Sequence, residues 1–451
     1  MITRTTTFPQ AERPKTAPRP GARSVRRISF VALALTLGPC MPLQAEEATE
    51  NNITLSGFGT VGVVHKTGAP HWGLIRSTAQ KGAAADLGAT TDSRLGAQID
   101  WNHSSGWEAA AQGVLLPRAK GAFSGEAIEQ AYVGYRPWAN TRLRMGRVSP
   151  DVFLYSESRN VGYAFTWARP PADFYAFAPV VAIDGLDVEQ RWDTGSSSWR
   201  LRATTGTIST STTDGGRSHR PAKADGILAL GLSREAGGLL LKLSYMHARV
   251  SLDQGPEYEA LRQGIDNLRQ SPLPGVREAV TPLSDRLWAG GATSYLALAA
   301  QYDSGPWTFV AEGSRLNIPG STLDAYRAYA SAAWRRDTVT YYALASRVKP
   351  QEAALATPDV ASSLAPVAGP AAARQAQMLA GYATYAANQF RFDQSTFGVG
   401  LRWDFASNAA LKFQVDRFHV RQNGAAGWRN HDGQAAKGTL VSLLVDFVWG
   451  Q

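Results

Sequence analysis

Arg142 and Arg144 stand two residues apart, so in an extended segment both guanidiniums emerge on one face, with Leu143 and Met145 on the other. The connection that follows, Val148 to Val181, carries Asp151, Glu157 and Asp173 interleaved with Arg159 and Arg169. It also carries a dense aromatic set: Phe153, Tyr155, Tyr163, Phe165, Trp167, Phe174, Tyr175 and Phe177. Guanidiniums fixed opposite carboxylates across a low-dielectric gap make a strong local field, a chemistry that sorts ions by charge and size and breaks no bond. Rings in such number would form an exposed apolar patch if the connection lay in water, so the connection is expected to fold inward against a wall.

Groups that break bonds are harder to assemble from this chain. Cys40 is the only cysteine, and His65, His71, His103, His219, His247, His419 and His431 include no pair at the i, i+4 spacing of a zinc helix. No Gly-x-Ser-x-Gly elbow occurs. Gly57-Phe58-Gly59-Thr60-Val61-Gly62 matches the dinucleotide-binding glycine pattern, but Val63-Val64-His65 continues a strand where that motif needs a helix. Glycines there suit a strand with close neighbours. The expectation is therefore no catalytic residue, no metal and no cofactor.

The elements that must position the charged groups alternate with period two. Leu95, Ala97, Ile99 and Trp101 oppose Arg94, Gln98 and Asp100; Trp199, Leu201 and Ala203 oppose Arg200 and Arg202. Phe397, Val399, Leu401 and Trp403 oppose Arg402 and Asp404, and Leu411, Phe413 and Val415 oppose Lys412, Gln414 and Asp416. Short turns at 103–105, 137–139, 194–197, 235–237, 304–305, 335–337 and 406–408 alternate with long connections near 65–91, 117–125, 148–181, 209–224, 251–293, 316–321, 349–394 and 422–437, joining about sixteen strands. Tight turns on one side and long loops on the other define an all-β, antiparallel transmembrane barrel, with both ends of the sheet on the tight-turn side. Trp101, Trp107, Tyr135, Trp192, Trp199, Trp307, Trp334, Trp403 and Trp449 fall near strand ends, where headgroup-level rings belong. Helical spacing of Tyr258, Leu261, Ile265 and Leu268, and the Ala-rich stretch Ala371 to Ala387, predict small helices shielding two of the loops.

Composition agrees. Hydrophobic residues make up 44% and charged residues 18%, yet no run of eighteen apolar residues occurs, which excludes helical membrane spans. The net charge of +9 sits mostly in residues 1–45, which hold seven Lys/Arg and one Glu; the remainder carries 39 basic against 36 acidic residues, or +3, too little to call for a nucleic-acid partner. Arg26-Arg27 followed by the apolar stretch Ile28 to Gly38 reads as a signal peptide over 1–45, leaving 46–451 as the barrel.

Ile53 to Val64, Ser93 to Trp101, Ala131 to Arg136, Arg142 to Arg147 leading into a long third loop, and the amphipathic last strand resemble Gram-negative outer-membrane porins. The resemblance implies a sixteen-stranded homotrimeric barrel of the outer membrane, inserted by the barrel-assembly machinery among lipopolysaccharide and passing small hydrophilic solutes and ions. It implies a third loop, 148–181, folded into the pore as the constriction, with Arg142 and Arg144 on the facing wall and Asp151, Glu157, Arg159, Arg169 and Asp173 on the loop; a second reading is a solute-specific channel in which the loop rings Tyr155, Tyr163 and Trp167 stack on the solute, and a third is a barrel enzyme or adhesin with a plugged lumen. The alternation assigns Arg94, Asp100, Arg200, Arg202, Arg402, Lys412 and Asp416 to the pore wall. Across all strands the inward basic set, which adds Arg191, Lys242, Arg327 and Arg335, outnumbers the acidic set that adds Asp187, Glu189, Glu312, Asp404 and Asp446, so a weak anion preference is expected.

Overall fold

The computed structural model describes residues 51–83, 85–118, 120–177, 182–213 and 220–450. The leader, His219 and the last residue of the third long connection, Val181, lie outside them. Sixteen long strands form one antiparallel sheet: β1 (Asn51–Thr67), β2 (Arg94–His103), β3 (Trp107–Leu115), β4 (Ile128–Trp138), β5 (Thr141–Val148), β6 (Ile183–Thr194), β7 (Ser197–Thr212), β8 (Arg220–Ala236), β9 (Leu239–Leu252), β10 (Gly290–Ser304), β11 (Trp307–Asn317), β12 (Ala325–Arg336), β13 (Val339–Pro350), β14 (Phe392–Ala406), β15 (Ala409–Ala425) and β16 (Ala436–Trp449). β1 pairs with β16 from Gly57↔Trp449 to Thr67↔Thr439, closing the barrel and removing every edge. This closure needs the glycines of the Gly-x-Gly run, because a Cβ on Gly57 or Gly59 would collide with the facing rings of Trp449 and Phe447. No helix follows them, so the nucleotide reading has no structural basis.

The outward face is a continuous apolar belt. Leu95, Ile99, Leu143, Met145, Leu186, Val188, Leu296, Leu298, Phe397 and Val399 are all exposed, an area a water-soluble protein would hide. The aromatic residues expected at strand ends gather at the tight-turn end alone, in cross-strand pairs such as Trp107 with Tyr135 (4.9 Å) and Trp192 stacked on Trp199 (6.1 Å).

At the opposite end, the loop between β9 and β10 forms helices α2 (Pro256–Arg269) and α3 (Pro274–Ser284), after the single-turn α1 (Ala172–Tyr175) in the third loop; the loop between β13 and β14 forms α4 (Ala361–Asn388). These three loop helices share one core through Ile265, Val280, Leu283, Ala376, Ala380 and Ala383. They are thus one joint structure across two loops rather than separate shields. A glycine allows the closest approach, since a Cβ on Gly264 would press on Leu379.

Candidate functional site

The third loop, L3, described over 149–177, lies inside the barrel and is tied to the wall at many points. The Arg94 side chain on β2 donates to Asn160 O at 2.5 Å, and Arg402 on β14 donates to Tyr163 O and Phe165 O at 2.7 and 2.9 Å. Lys412 on β15 donates to Gly162 O at 2.7 Å and pairs with Asp446 on β16 at 2.9 Å. Only glycine fits at 162, where a Cβ would strike the Asp446 carboxylate and the Arg94 guanidinium. Arg169 pairs with Asp92 of the first loop at 2.7 Å, with Asp416 on β15 at 3.4 Å, and donates to Ser442 at 2.7 Å.

The loop carboxylates divide by partner. Asp151 pairs with Lys242 on β9 and with Arg200 on β7; burial opposes its charged form, but those cations outweigh it and hold the carboxyl below the usual range. Glu157 pairs with Arg202 at 2.6 Å. Burial again opposes ionisation, and Arg202 and Arg200 bring the group down to about 2. Asp173 has no cation in contact; Ser346, Gln394 and Thr396 donate to it at 2.7, 2.6 and 3.2 Å. Burial therefore pushes its carboxyl up despite those hydrogen bonds.

Several placements differ from the sequence expectation. Arg142 does not face the loop acids: it lies one residue inside a tight turn and is taken by Glu108 on β3 and by the Tyr132 hydroxyl. Arg144 pairs with Asp187 on β6 at 2.6 Å, and the same carboxylate takes Arg202 at 2.7 Å, so Arg144 reaches the loop only through that relay. Asp100 is likewise below the loop, accepting from Gln98 at 2.8 Å. Arg159 donates to Tyr175 O at 2.9 Å within the loop. Tyr155 and Trp167 pack against each other (5.7 Å) and Trp167 against Tyr329 (5.6 Å), which leaves Trp167 2% exposed and Tyr155 partly buried. Tyr163 remains half-buried, its hydroxyl donating to Ser407 O at 2.9 Å.

L3 leaves open space on more than one side: beside Arg169 and Pro171, a cavity of about 480 Å³ against β13–β16 is lined by Ser346, Gln394, Gln414 and Asp416. An open cavity of about 510 Å³ on the long-loop side is lined by Arg76, Gln80, Arg118, Glu126, Glu129, Arg159 and Asn160. Another of about 280 Å³, lined by Gln112, Gln130, Glu157 and again Glu129, Arg159 and Asn160, continues it downward. Where they meet, Arg118 pairs with Glu129 at 2.6 Å, and Asn160 donates to the same carboxylate at 2.7 Å. Glu129, Gln112, Arg118 and Asn160 escaped the sequence reading. Glu129 is the extra residue of a β-bulge, since Gln130 pairs with Gln112 and Ile128 with Gly113, and the bulge breaks the alternation used to assign the wall.

Such a barrel, with an inward third loop and a polar gap beside it, defines a membrane channel protein. A family model for Gram-negative porins matches residues 30–423, and the chain belongs to that family. Among solved structures it is similar to Salmonella typhi OmpF in complex with daunomycin (11% identity, 88% of this chain and 98% of that one, TM-score 0.49) and to a loop L8 deletion mutant of Vibrio cholerae OmpT (10% identity, 89% and 100%, TM-score 0.47). No curated protein matches the chain. It is an outer-membrane porin, a multi-pass β-barrel of the Gram-negative outer membrane.

Proposed function

We propose that the chain is a passive diffusion channel for small hydrophilic solutes and ions, mildly anion-preferring, whose route passes between L3 and the β2–β7 wall. The observation that carries this reading is the pair of polar cavities that meet at Glu129, Arg159 and Asn160. Below them, Gln98, Asp100, Tyr132 and Arg142 continue a polar, partly exposed surface toward the tight turns. The anion preference rests on the upper cavity, where the guanidiniums of Arg76, Arg118 and Arg159 outnumber the carboxylates of Glu126 and Glu129. Export by a leader over residues 1–45, insertion by the barrel-assembly machinery, contact with lipopolysaccharide and assembly as a homotrimer complete the proposal.

Single-channel recording of the refolded mature chain across a salt gradient tests it. Discrete current steps and a reversal potential of anion sign are expected. Silence from a barrel shown separately to be folded would overturn the channel, and a cation-sign potential would overturn the preference.

A further inference from the structure

On the far wall from that route, Arg327 of β12 points inward, 2% exposed, and its Nε, Nη1 and Nη2 all lack a hydrogen-bond partner among the described residues. The comparably buried Arg144, Arg169 and Arg202 each hold a carboxylate. Among the described residues, Arg327 instead has the ring of Phe177, on the third loop, 4.0 Å from its guanidinium carbon. Ser314 on β11 stands directly opposite it in the sheet, and Tyr295 on β10 is the next inward residue along from Ser314's other neighbour, Ala297. Their two hydroxyls are buried with no partner beyond each other. The nearby carboxylates are engaged elsewhere: Glu312 accepts from the Leu154 amide, Tyr175 and Tyr329, and Asp324 accepts from the Ile318 amide.

A buried guanidinium without a counter-charge is among the costliest arrangements in a protein interior. The Phe177 ring covers one face of the cation and leaves its edges, which carry the donors, unsatisfied. Those edges fit a halide or the two oxygens of a carboxylate, and the adjacent hydroxyls can add donors to the same anion. We propose that Arg327, Tyr295 and Ser314 form a binding site for a small monovalent anion beneath the end of L3. The bound anion fixes Arg327, Arg327 holds Phe177, and the site thereby fastens the end of the loop to the β10–β12 wall. It is separate from the diffusion route and does not depend on it.

The test is the unfolding temperature of the refolded barrel in detergent, titrated with sodium chloride or sodium acetate against a bulky sulfonate at constant ionic strength. The parent should rise saturably with chloride or acetate, and Arg327→Met should show no such rise. Should Arg327→Met fail to fold, the double variant Tyr295→Phe/Ser314→Ala keeps the charge and should raise the half-saturating concentration about tenfold, the loss expected for about one hydrogen bond. A parent indifferent to the anion, or variants that respond as the parent does, would overturn the site. The anion site is read in the unfolding of the parent barrel in detergent and the route in the current of the parent across a bilayer, so failure of the one and failure of the other fall in different measurements.

Discussion

The β8–β13 wall and the β2–β7 wall receive the same loop in opposite ways. On the first, a buried apolar set of Ala229, Ala248, Tyr295, Ala297, Ala299, Val310, Tyr329 and Tyr342 receives Phe153, Phe165, Trp167, Phe174 and Tyr175 of L3, with Lys242, Glu312 and Arg327 set among them. Phe153 meets Tyr295 at 5.5 Å and Phe174 meets Tyr329 at 5.2 Å, edge to face in both cases. On the second, inward positions are Arg94, Gln98, Gln112, Glu129, Arg144, Asp187 and Arg202, and the loop meets them through single ion pairs and hydrogen bonds with cavities between. Apolar faces exclude water and close together, whereas charged faces satisfied by point contacts leave polar space. One loop is thus held largely by packed rings on one side and largely by ion pairs and hydrogen bonds beside polar cavities on the other.

The largest effect is expected from the packed rings. Trp167→Ala should cost about 3–5 kcal/mol, seen as a lower unfolding midpoint, and should enlarge and destabilise the open-channel current as L3 comes loose. Next comes Arg202→Met, which strands Glu157 and leaves Arg144 as the one cation paired with Asp187; breaking such a buried pair costs about 3–5 kcal/mol at most, and denaturant titration should place the loss below that of Trp167→Ala because Glu157 is 26% exposed. Acid sharpens the same contrast. Glu157 has an ordinary value of 4.5 and a folded value of about 2, so its contribution is complete above 4.5 and is lost as pH falls through about 2. The near-ultraviolet circular dichroism of the L3 rings should accordingly weaken between those values, and Glu157→Gln should remove that part of the transition. The smallest effect belongs to Arg142→Ala, whose partners lie below the loop: the reversal potential should move by only a few millivolts, whereas Arg118→Ala should displace it visibly toward cations.

Sixteen strands and seven tight turns could be read directly, because period-two alternation and turn spacing are local properties. The ring-packed wall also left a local trace: Tyr295-Leu296-Ala297-Leu298-Ala299 is apolar at both parities, so its inner face requires an apolar cover. Ion partners were not readable, since they depend on strand register and loop path. Arg142 finds Glu108 across thirty-four positions, and Arg169 finds Asp416 across nearly two hundred and fifty. Glu129 was hidden by the bulge at Gln112/Gly113, which shifts parity in one strand and not in its neighbour.

The asymmetry between the walls is tested most directly by cysteine scanning, which is clean because Cys40, the only cysteine, lies in the leader expected to be removed. Gln130→Cys on β4, Asn160→Cys on the loop and Ser331→Cys on β12 would each be treated with a charged thiol reagent during single-channel recording. The account predicts abrupt current block at 130 and 160 and none at 331. Block at 331 with 130 and 160 silent would put the passage on the other wall and contradict it.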